Sequence, residues 1–201
     1  MTAGHALAFF VFSLVAAITP GPSNVLLAAV GAQGGLRRGL ACLFGVSAGM
    51  GSMMFLAAAG LGSILLTQPQ LLFAGRICGS AFLLWLAWRI ATAAPADEKA
   101  AKASPPRPVG FLGAAALQWV NPKAWLVSTS AVATYLPAGE NTLLQSVGFA
   151  SVFVLAALPS GLVWLLLGSA TQHLLHNRRR QRVFGILMGL ALAGSVAMIL
   201  R

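Results

Sequence analysis

Charged residues are scarce in this chain, and acidic ones are almost absent. Only 8% of its 201 residues are charged, with three Asp or Glu against thirteen Lys or Arg. Soluble domains carry about 25% charged residues, so this chain has too few to cover a water-facing surface. Together with 58% hydrophobic residues and a mean hydropathy of +0.85, the scarcity of charge predicts an integral membrane protein.

The chain also lacks the residue patterns of disulfide, metal and nucleic-acid-binding proteins. Its two cysteines, Cys42 and Cys78, stand singly within apolar runs, so no disulfide framework or CxxC motif is indicated. The apolar runs hold no acidic residue and no histidine cluster, so we predict no metal site and no cofactor. The net charge of +10 does not indicate a nucleic-acid partner, because the basic residues cluster in short connections between apolar runs.

Six apolar runs are long enough to cross a bilayer, which takes roughly 20 residues in a helix. They cover residues 5–31, 39–62, 71–91, 110–134, 143–168 and 183–200. Because residues 1–18 hold no Lys or Arg, the first run is expected to be a retained span rather than a signal peptide. The polar, Ala- and Pro-rich stretch 92–109 is expected to be a cytoplasmic linker between a first half, 1–91, and a second half, 110–201.

Ten of the thirteen basic residues lie at the end of, or after, the first, third and fifth runs. They are Arg37 and Arg38, then Arg89, Lys99, Lys102 and Arg107, then Arg178, Arg179, Arg180 and Arg182. On the opposite side there are only Arg76 and Arg201, and Lys123 lies within the fourth run. The positive-inside rule places the connections after the first, third and fifth runs in the cytoplasm and both termini on the opposite side of the membrane. Since each half has three spans, the second half enters the membrane from the opposite side to the first.

The first and fourth runs each carry a proline and a short polar cluster near the middle. The first reads ITPGPSNVLL over residues 18–27, and the fourth reads QWVNPKAW over residues 118–125. A shift of 102 positions places Pro20 on Pro122, which favours an internal repeat. Proline removes an amide N–H and clashes with the preceding turn. The sequence therefore predicts an all-α membrane protein with six spans in an inverted 3+3 repeat, in which helices one and four are broken.

We expect the two breaks to form the substrate site. The N–H groups near Pro22 would suit an anion, and the carbonyls that end the first half-helix, around residues 17–19, would suit an ammonium group. Lys123 would lie near the middle of the fourth span, where a charge is costly without a partner. The three acidic residues lie in connections, so a substrate carboxylate is the expected counter-ion unless Lys123 extends to the membrane surface. The candidate binding residues are Thr19, Pro20, Gly21, Pro22, Ser23, Asn24, Gln118, Asn121, Pro122 and Lys123.

Five segments of this chain resemble those of a known family. They are ITPGPSNVLL, the basic turn GGLRRG, the glycine-rich GVSAGMG, GSAFLLWLAWRI and NPKAW. Over nearly its whole length the chain resembles the LysE/RhtB family of amino-acid exporters. The resemblance implies a multi-pass protein of the bacterial inner membrane that exports amino acids or derivatives, such as homoserine, threonine, cysteine, O-acetylserine, leucine or basic amino acids.

One departure from the family bears on the substrate. Some relatives have an acidic residue in the second span near Met50, and this chain has none there. The departure argues against a basic amino acid as substrate and leaves the proton-carrying group unassigned.

The sequence thus predicts a secondary transporter, not an enzyme, that exports a small neutral amino acid or derivative and is driven by the proton gradient. Two alternatives stay open: an intramembrane thiol-redox protein that uses Cys42 and Cys78, and a metal-ion exporter. The expected partners are an amino-acid substrate and the lipid bilayer. GxxxG pairs pack helices within one chain or form a homodimer interface. These pairs are Gly45 with Gly49, Gly75 with Gly79, and Gly185 with Gly189.

Overall fold

The structure, a computed structural model, describes residues 3–61, 68–92, 109–136, 143–171 and 178–199. Throughout these ranges the regular structure is helical. The seven α-helices described are α1 (Ala3–Ile18), α2 (Pro22–Leu56), α3 (Pro69–Ala91), α4 (Phe111–Val120), α5 (Pro122–Tyr135), α6 (Leu143–Thr171) and α7 (Arg178–Ile199). A π-helical turn, Ala57–Leu61, continues α2. Most of the predicted linker, with Asp97 and Glu98, lies outside the described residues, as does Glu140.

Two helical stretches among the described residues, Pro22–Leu61 and Leu143–Thr171, are long and apolar enough to cross a membrane. Gly4–Ile18, Ile77–Trp88 and Phe111–Val120 are shorter apolar helices. Many large apolar side chains point outward, and Leu112 and Leu144 are about 80% exposed (79% and 81%). Such extensive exposed apolar surface is typical of proteins that contact a membrane. The six-span arrangement stays a prediction.

Both predicted helix breaks are present. Helix α1 ends at Ile18 and α2 begins at Pro22, while α4 ends at Val120 and α5 begins at Pro122. At the first position of a helix a proline costs no hydrogen bond, because that N–H has no intrahelical partner. The prolines in equivalent positions are thus Pro22 and Pro122, which are 100 residues apart, and the predicted alignment of Pro20 with Pro122 was wrong by two residues.

Helix α2 consists of two arms that meet at Gly35, where φ is 70° and ψ is 177°. Glycine adopts this backbone conformation without the steric cost that a Cβ would add. A Cβ added to Gly31 or to Gly39 would contact Leu165 in either case, so residues on both sides of Gly35 reach the same point of α6. The chain therefore reverses direction at Gly35, in the basic turn predicted between the first two apolar runs.

The core lies where α6 packs against α1 and α2. Phe9 of α1 stacks on Phe149 of α6 with ring centroids 3.9 Å apart, and Phe153, Met53 and Met54 are buried beside them. A second group of buried residues joins α3 to α7 and reaches α2 through Val25. Its members are Val25, Leu83, Ala87, Leu192 and Val196.

Small residues of the predicted GxxxG pairs lie at helix contacts within the chain. A Cβ on Gly49 would lie 2.7 Å from the Ala115 carbonyl oxygen of α4, and Gly45 meets Phe111 in the same helix. Gly189 of α7 similarly leaves room for the Ala87 carbonyl of α3. Gly79 faces Pro122 at the second break, whereas the surroundings of Gly75 lie outside the described residues. At Gly45, Gly49, Gly79 and Gly189 the small residue thus allows close packing within one chain.

Candidate functional site

The N-termini of α2 and α5 line one cavity, but only the N-terminus of α5 has a side-chain cap. Helix α5 is capped by Asn121, whose Oδ1 accepts a hydrogen bond of 3.1 Å from the backbone N–H of Lys123. Helix α2 has extended Gly21 at the equivalent position, and no side chain caps it. The first N–H groups of a helix have no intrahelical partner and carry partial positive charge. The open α2 end therefore presents N–H groups that an anion can use, while the α5 end is partly satisfied already.

Ser23 joins the two breaks. Its Oγ donates to Gln118 Oε1 of α4 over 2.7 Å and accepts from Asn121 Nδ2 over 3.2 Å. Gln118 is fully buried and also donates from Nε2 to the Ala114 carbonyl at 3.0 Å. Buried polar side chains are stabilised when they find such partners. These bonds hold the start of α2 against the second break.

The carbonyls that end α1 are occupied by donors of the protein itself. Asn24 Nδ2 donates to the carbonyl oxygens of Ala17, at 2.9 Å, and Thr19, at 2.7 Å. The indole N–H of Trp164 in α6 donates to the Ile18 carbonyl oxygen at 3.0 Å. The expectation that these carbonyls are free was therefore wrong, since donors of the protein itself already bond them.

The Lys123 side chain extends into the first break. Its Nζ donates to the Thr19 carbonyl oxygen at 2.5 Å and to the Pro20 carbonyl oxygen at 3.4 Å. Gly21 makes this path possible, since a Cβ there would stand 2.8 Å from Lys123 Cδ. The described residues include no Asp or Glu, so within them the partners of this ammonium group are carbonyl dipoles. The lysine thus stays at the breaks and does not extend away from them.

A cavity of about 50 Å³ lies between the two breaks. Six of the ten predicted residues line it: Gly21, Pro22, Ser23, Asn24, Asn121 and Lys123. The other four stand behind them. Thr19 and Pro20 offer their carbonyls to Lys123, Gln118 holds Ser23, and Pro122 begins α5.

The sequence prediction missed the apolar part of the cavity wall. This part comes from both arms of α2, from α5 and from α6, and includes Leu27, Val46, Met50, Val127, Phe153 and Ala157. These residues carry no polar signal, and they lie among many similar residues in the apolar runs. Trp164, which occupies the Ile18 carbonyl, was missed for the same reason.

Trp119 and Trp125, which flank the second break, brace it. The Trp125 indole N–H donates to the Trp119 carbonyl oxygen at 2.8 Å, and the two rings meet edge to face with centroids 5.8 Å apart. The backbone N–H of Lys123 bonds to Asn121 Oδ1 and not to the Trp119 carbonyl four residues earlier, so the Trp125 indole supplies that carbonyl with a donor. These tryptophans therefore stiffen the break beside the cavity.

Comparison of the chain with known proteins shows the family to which it belongs. The family model described as LysE type translocator matches residues 14–200. The chain belongs to the LysE-type translocator family. It is similar to the cysteine/O-acetylserine efflux proteins of Salmonella typhi, at 33% identity, and of Escherichia coli, at 31%. Each alignment spans 174 residues, which is 87% of this chain and 87% of the relative. No solved structure matches the chain.

Family membership makes this translocator a membrane transport protein and not an enzyme. The thiol-redox alternative is therefore wrong. Its two cysteines are free thiols, with Cys42 buried and Cys78 exposed.

Proposed function

We propose that this translocator exports a small neutral amino acid or derivative across the bacterial inner membrane. The relatives named cysteine/O-acetylserine efflux proteins support that substrate class. The proposal rests on the position of Lys123. Its ammonium group lies in the wall of a small cavity, and its partners among the described residues are carbonyl oxygens. A cation at membrane depth marks a functional site by default.

The substrate carboxylate binds between Lys123 and the start of α2. The α2 N-terminus has no side-chain cap, so the first-turn N–H groups at Ser23 and Asn24 are available to an anion. The carboxylate thereby gains the opposite charge of Lys123 and the positive end of a helix dipole in one place.

The substrate side chain lies against the apolar wall. Leu27, Met50 and Phe153 give this part of the cavity a hydrocarbon surface, and about 50 Å³ suits a small side chain. No acidic residue of the described chain stands there to receive a second cationic group, which favours a neutral substrate.

The architecture proposed for transport is an inverted repeat of six spans, with halves 1–91 and 110–201 and a cytoplasmic linker over 92–109. The contacts Ser23 to Asn121 and Lys123 to Thr19 support it, because they bring the broken helix of each half to one place. Paired broken helices at the repeat interface are the usual substrate site in such transporters. The proton gradient drives export, both termini lie in the periplasm, and exposed helix faces are available for a homodimer.

Export is tested in cells loaded with dipeptides, with amino acids measured inside and outside against an empty-vector control. We expect the wild-type protein to raise external cysteine or O-acetylserine, and Lys123→Ala to abolish this while the protein stays in the membrane. Arg37→Ala, which removes an exposed positive charge in the basic turn, is the matched control and should export normally. Normal export by Lys123→Ala would remove the lysine from the mechanism.

Nothing in the part of the chain that the structure describes favours the metal-ion alternative. No group of three His, Cys, Asp or Glu residues comes together there. Hard and borderline cations need such oxygen, imidazole or thiolate ligands.

A further inference from the structure

Lys123 occupies the place in which a substrate ammonium group would bind. The four carbonyls of residues 17–20, at and just after the end of α1, accept side-chain hydrogen bonds, and three of these bonds come from the neutral donors Asn24 and Trp164. The remaining donor is Lys123 Nζ, which shares the Thr19 carbonyl oxygen with Asn24 and also binds that of Pro20. A lysine ammonium and the α-ammonium of an amino acid carry the same charge and three donors each. They are therefore chemically equivalent ligands for these carbonyls.

Lys123 differs from the other donors in that it can leave. Asn24 bonds its carbonyls through a short side chain and Trp164 through a rigid ring, whereas lysine has a flexible four-carbon stem. The distance from its Nζ to the Pro20 carbonyl oxygen is 3.4 Å, which is long for a hydrogen bond. The side chain also lies against Gly21, which has no Cβ to confine it. The neighbouring α2 N-terminus has no side-chain cap, so a substrate carboxylate bound there would lie within reach of the released Lys123 ammonium group.

We propose that Lys123 is an internal competitor that restricts the translocator to amines that also carry a carboxylate. The inference rests on the proposed function of this site. A zwitterion displaces Lys123 from Thr19 and Pro20 with its own ammonium group, and its carboxylate then receives the displaced lysine. An amine without a carboxylate leaves the lysine with no partner in a partly buried site, which costs free energy. Selectivity against amines follows from this exchange and does not need a steric barrier.

The test compares two ligands that differ in the carboxylate alone, O-acetyl-L-serine and its decarboxylated analogue O-acetylethanolamine. Binding to the full-length, purified translocator is measured by isothermal titration or by thermal shift, with size-exclusion profiles to verify folding. For the wild type we expect the amine to bind about tenfold to a hundredfold more weakly than the amino acid, the range that one charged hydrogen bond supplies.

Lys123→Met removes the charge and keeps an unbranched side chain of similar length. In this variant we expect amine binding to strengthen by about tenfold or more, because no lysine ammonium competes for the Thr19 and Pro20 carbonyls, while amino-acid binding weakens. Lys123→Arg keeps a competing cation and should still reject the amine. Arg37→Met, a charge removal away from the cavity, should leave the ratio of the two affinities unchanged.

The outcomes separate this inference from the proposed function. Amine binding that is unchanged in Lys123→Met, alongside weakened amino-acid binding, overturns the exchange and leaves Lys123 as a plain carboxylate ligand of the export site. Equal binding of both ligands by the wild type also overturns it. If the folded wild type binds neither ligand, the proposed substrate class fails as well.

Discussion

At the scale of single residues, the positive charge of Lys123 is stabilised by backbone carbonyl dipoles and not by a carboxylate of the described residues. Lys123 is partly buried and satisfied by the Thr19 and Pro20 carbonyls, while neutral Asn24 and Trp164 close the rest of the α1 end. A fixed internal carboxylate would neutralise the lysine and weaken its attraction for a substrate. Carbonyl dipoles stabilise the ammonium group and still leave it with a net charge to offer.

Gly21→Ala tests whether the path of Lys123 matters. The new Cβ would lie 2.8 Å from Lys123 Cδ and 3.1 Å from Nζ, so the side chain must move. Overpacking costs about 1–3 kcal/mol, and we expect export to fall about tenfold with protein level retained. Gly110→Ala is the control, because nothing lies within 4 Å of a Cβ there. If both variants export like the wild type, the position of Lys123 seen here is not the one on which transport depends.

At the scale of elements, close backbone approach between helices decides the packing. Helix α6 lies against both arms of α2, and Gly168 meets the Ala28 carbonyl while Gly31 meets the Leu165 carbonyl. In a bilayer helices associate through van der Waals packing, since lipid offers an equally apolar surface. Small residues at these points are therefore what holds α6 beside the cavity that it helps to form.

Gly168→Leu should separate α6 from α2. A Cβ at this position would overlap the Ala28 backbone, which cannot move as a flexible side chain can. We expect a loss of about 3 kcal/mol or more, seen as a lower apparent melting temperature and less monodisperse protein by fluorescence-detected size exclusion. Gly148→Leu on the same helix faces open space and should leave both readouts near wild type. Equal behaviour of the two variants would contradict this packing.

At the scale of the whole molecule, the two breaks meet although about 100 residues separate them. The contacts Ser23 to Gln118 and Lys123 to Thr19 span 95 and 104 positions of the chain. Helices α3 and α7 pack on each other at the side, through Leu83 and Leu192, and contact the rest of the molecule through Val25 and through Gly79, which faces Pro122. The site thus depends on assembly of both halves, and neither half contains it alone.

Orientation is a property of the assembled protein and is testable by labelling. In a Cys42→Ala, Cys78→Ser background, single cysteines are introduced as Thr2→Cys, Arg201→Cys or Arg37→Cys. A membrane-impermeant maleimide should label the first two in intact cells, and the third only after permeabilisation, because the positive-inside rule retains Arg37 in the cytoplasm. The reverse pattern would contradict the proposed topology.

Much of this architecture was predictable from local signals. The prolines located both helix breaks, because proline cannot continue a hydrogen-bonded helix. GGLRRG located the reversal at Gly35, since glycine tolerates the positive φ that the turn requires. The sequence matched Pro20 to Pro122, but the proline that begins α2, as Pro122 begins α5, is Pro22. Pro20 and Pro22 are equally good helix breakers, so proline chemistry did not tell them apart.

By itself the sequence determined that this chain is a helical membrane protein with two broken helices and a lysine without a nearby acid. Composition and the effect of proline on a helix can be read from the sequence without knowing which residues pack together. Tertiary structure decided that Lys123 turns back onto Thr19, that Asn24 and Trp164 occupy the carbonyls expected to be free, and that Met50 and Phe153 wall the cavity. These are contacts between residues distant in the chain, which depend on how helices pack, and no local pattern encodes them.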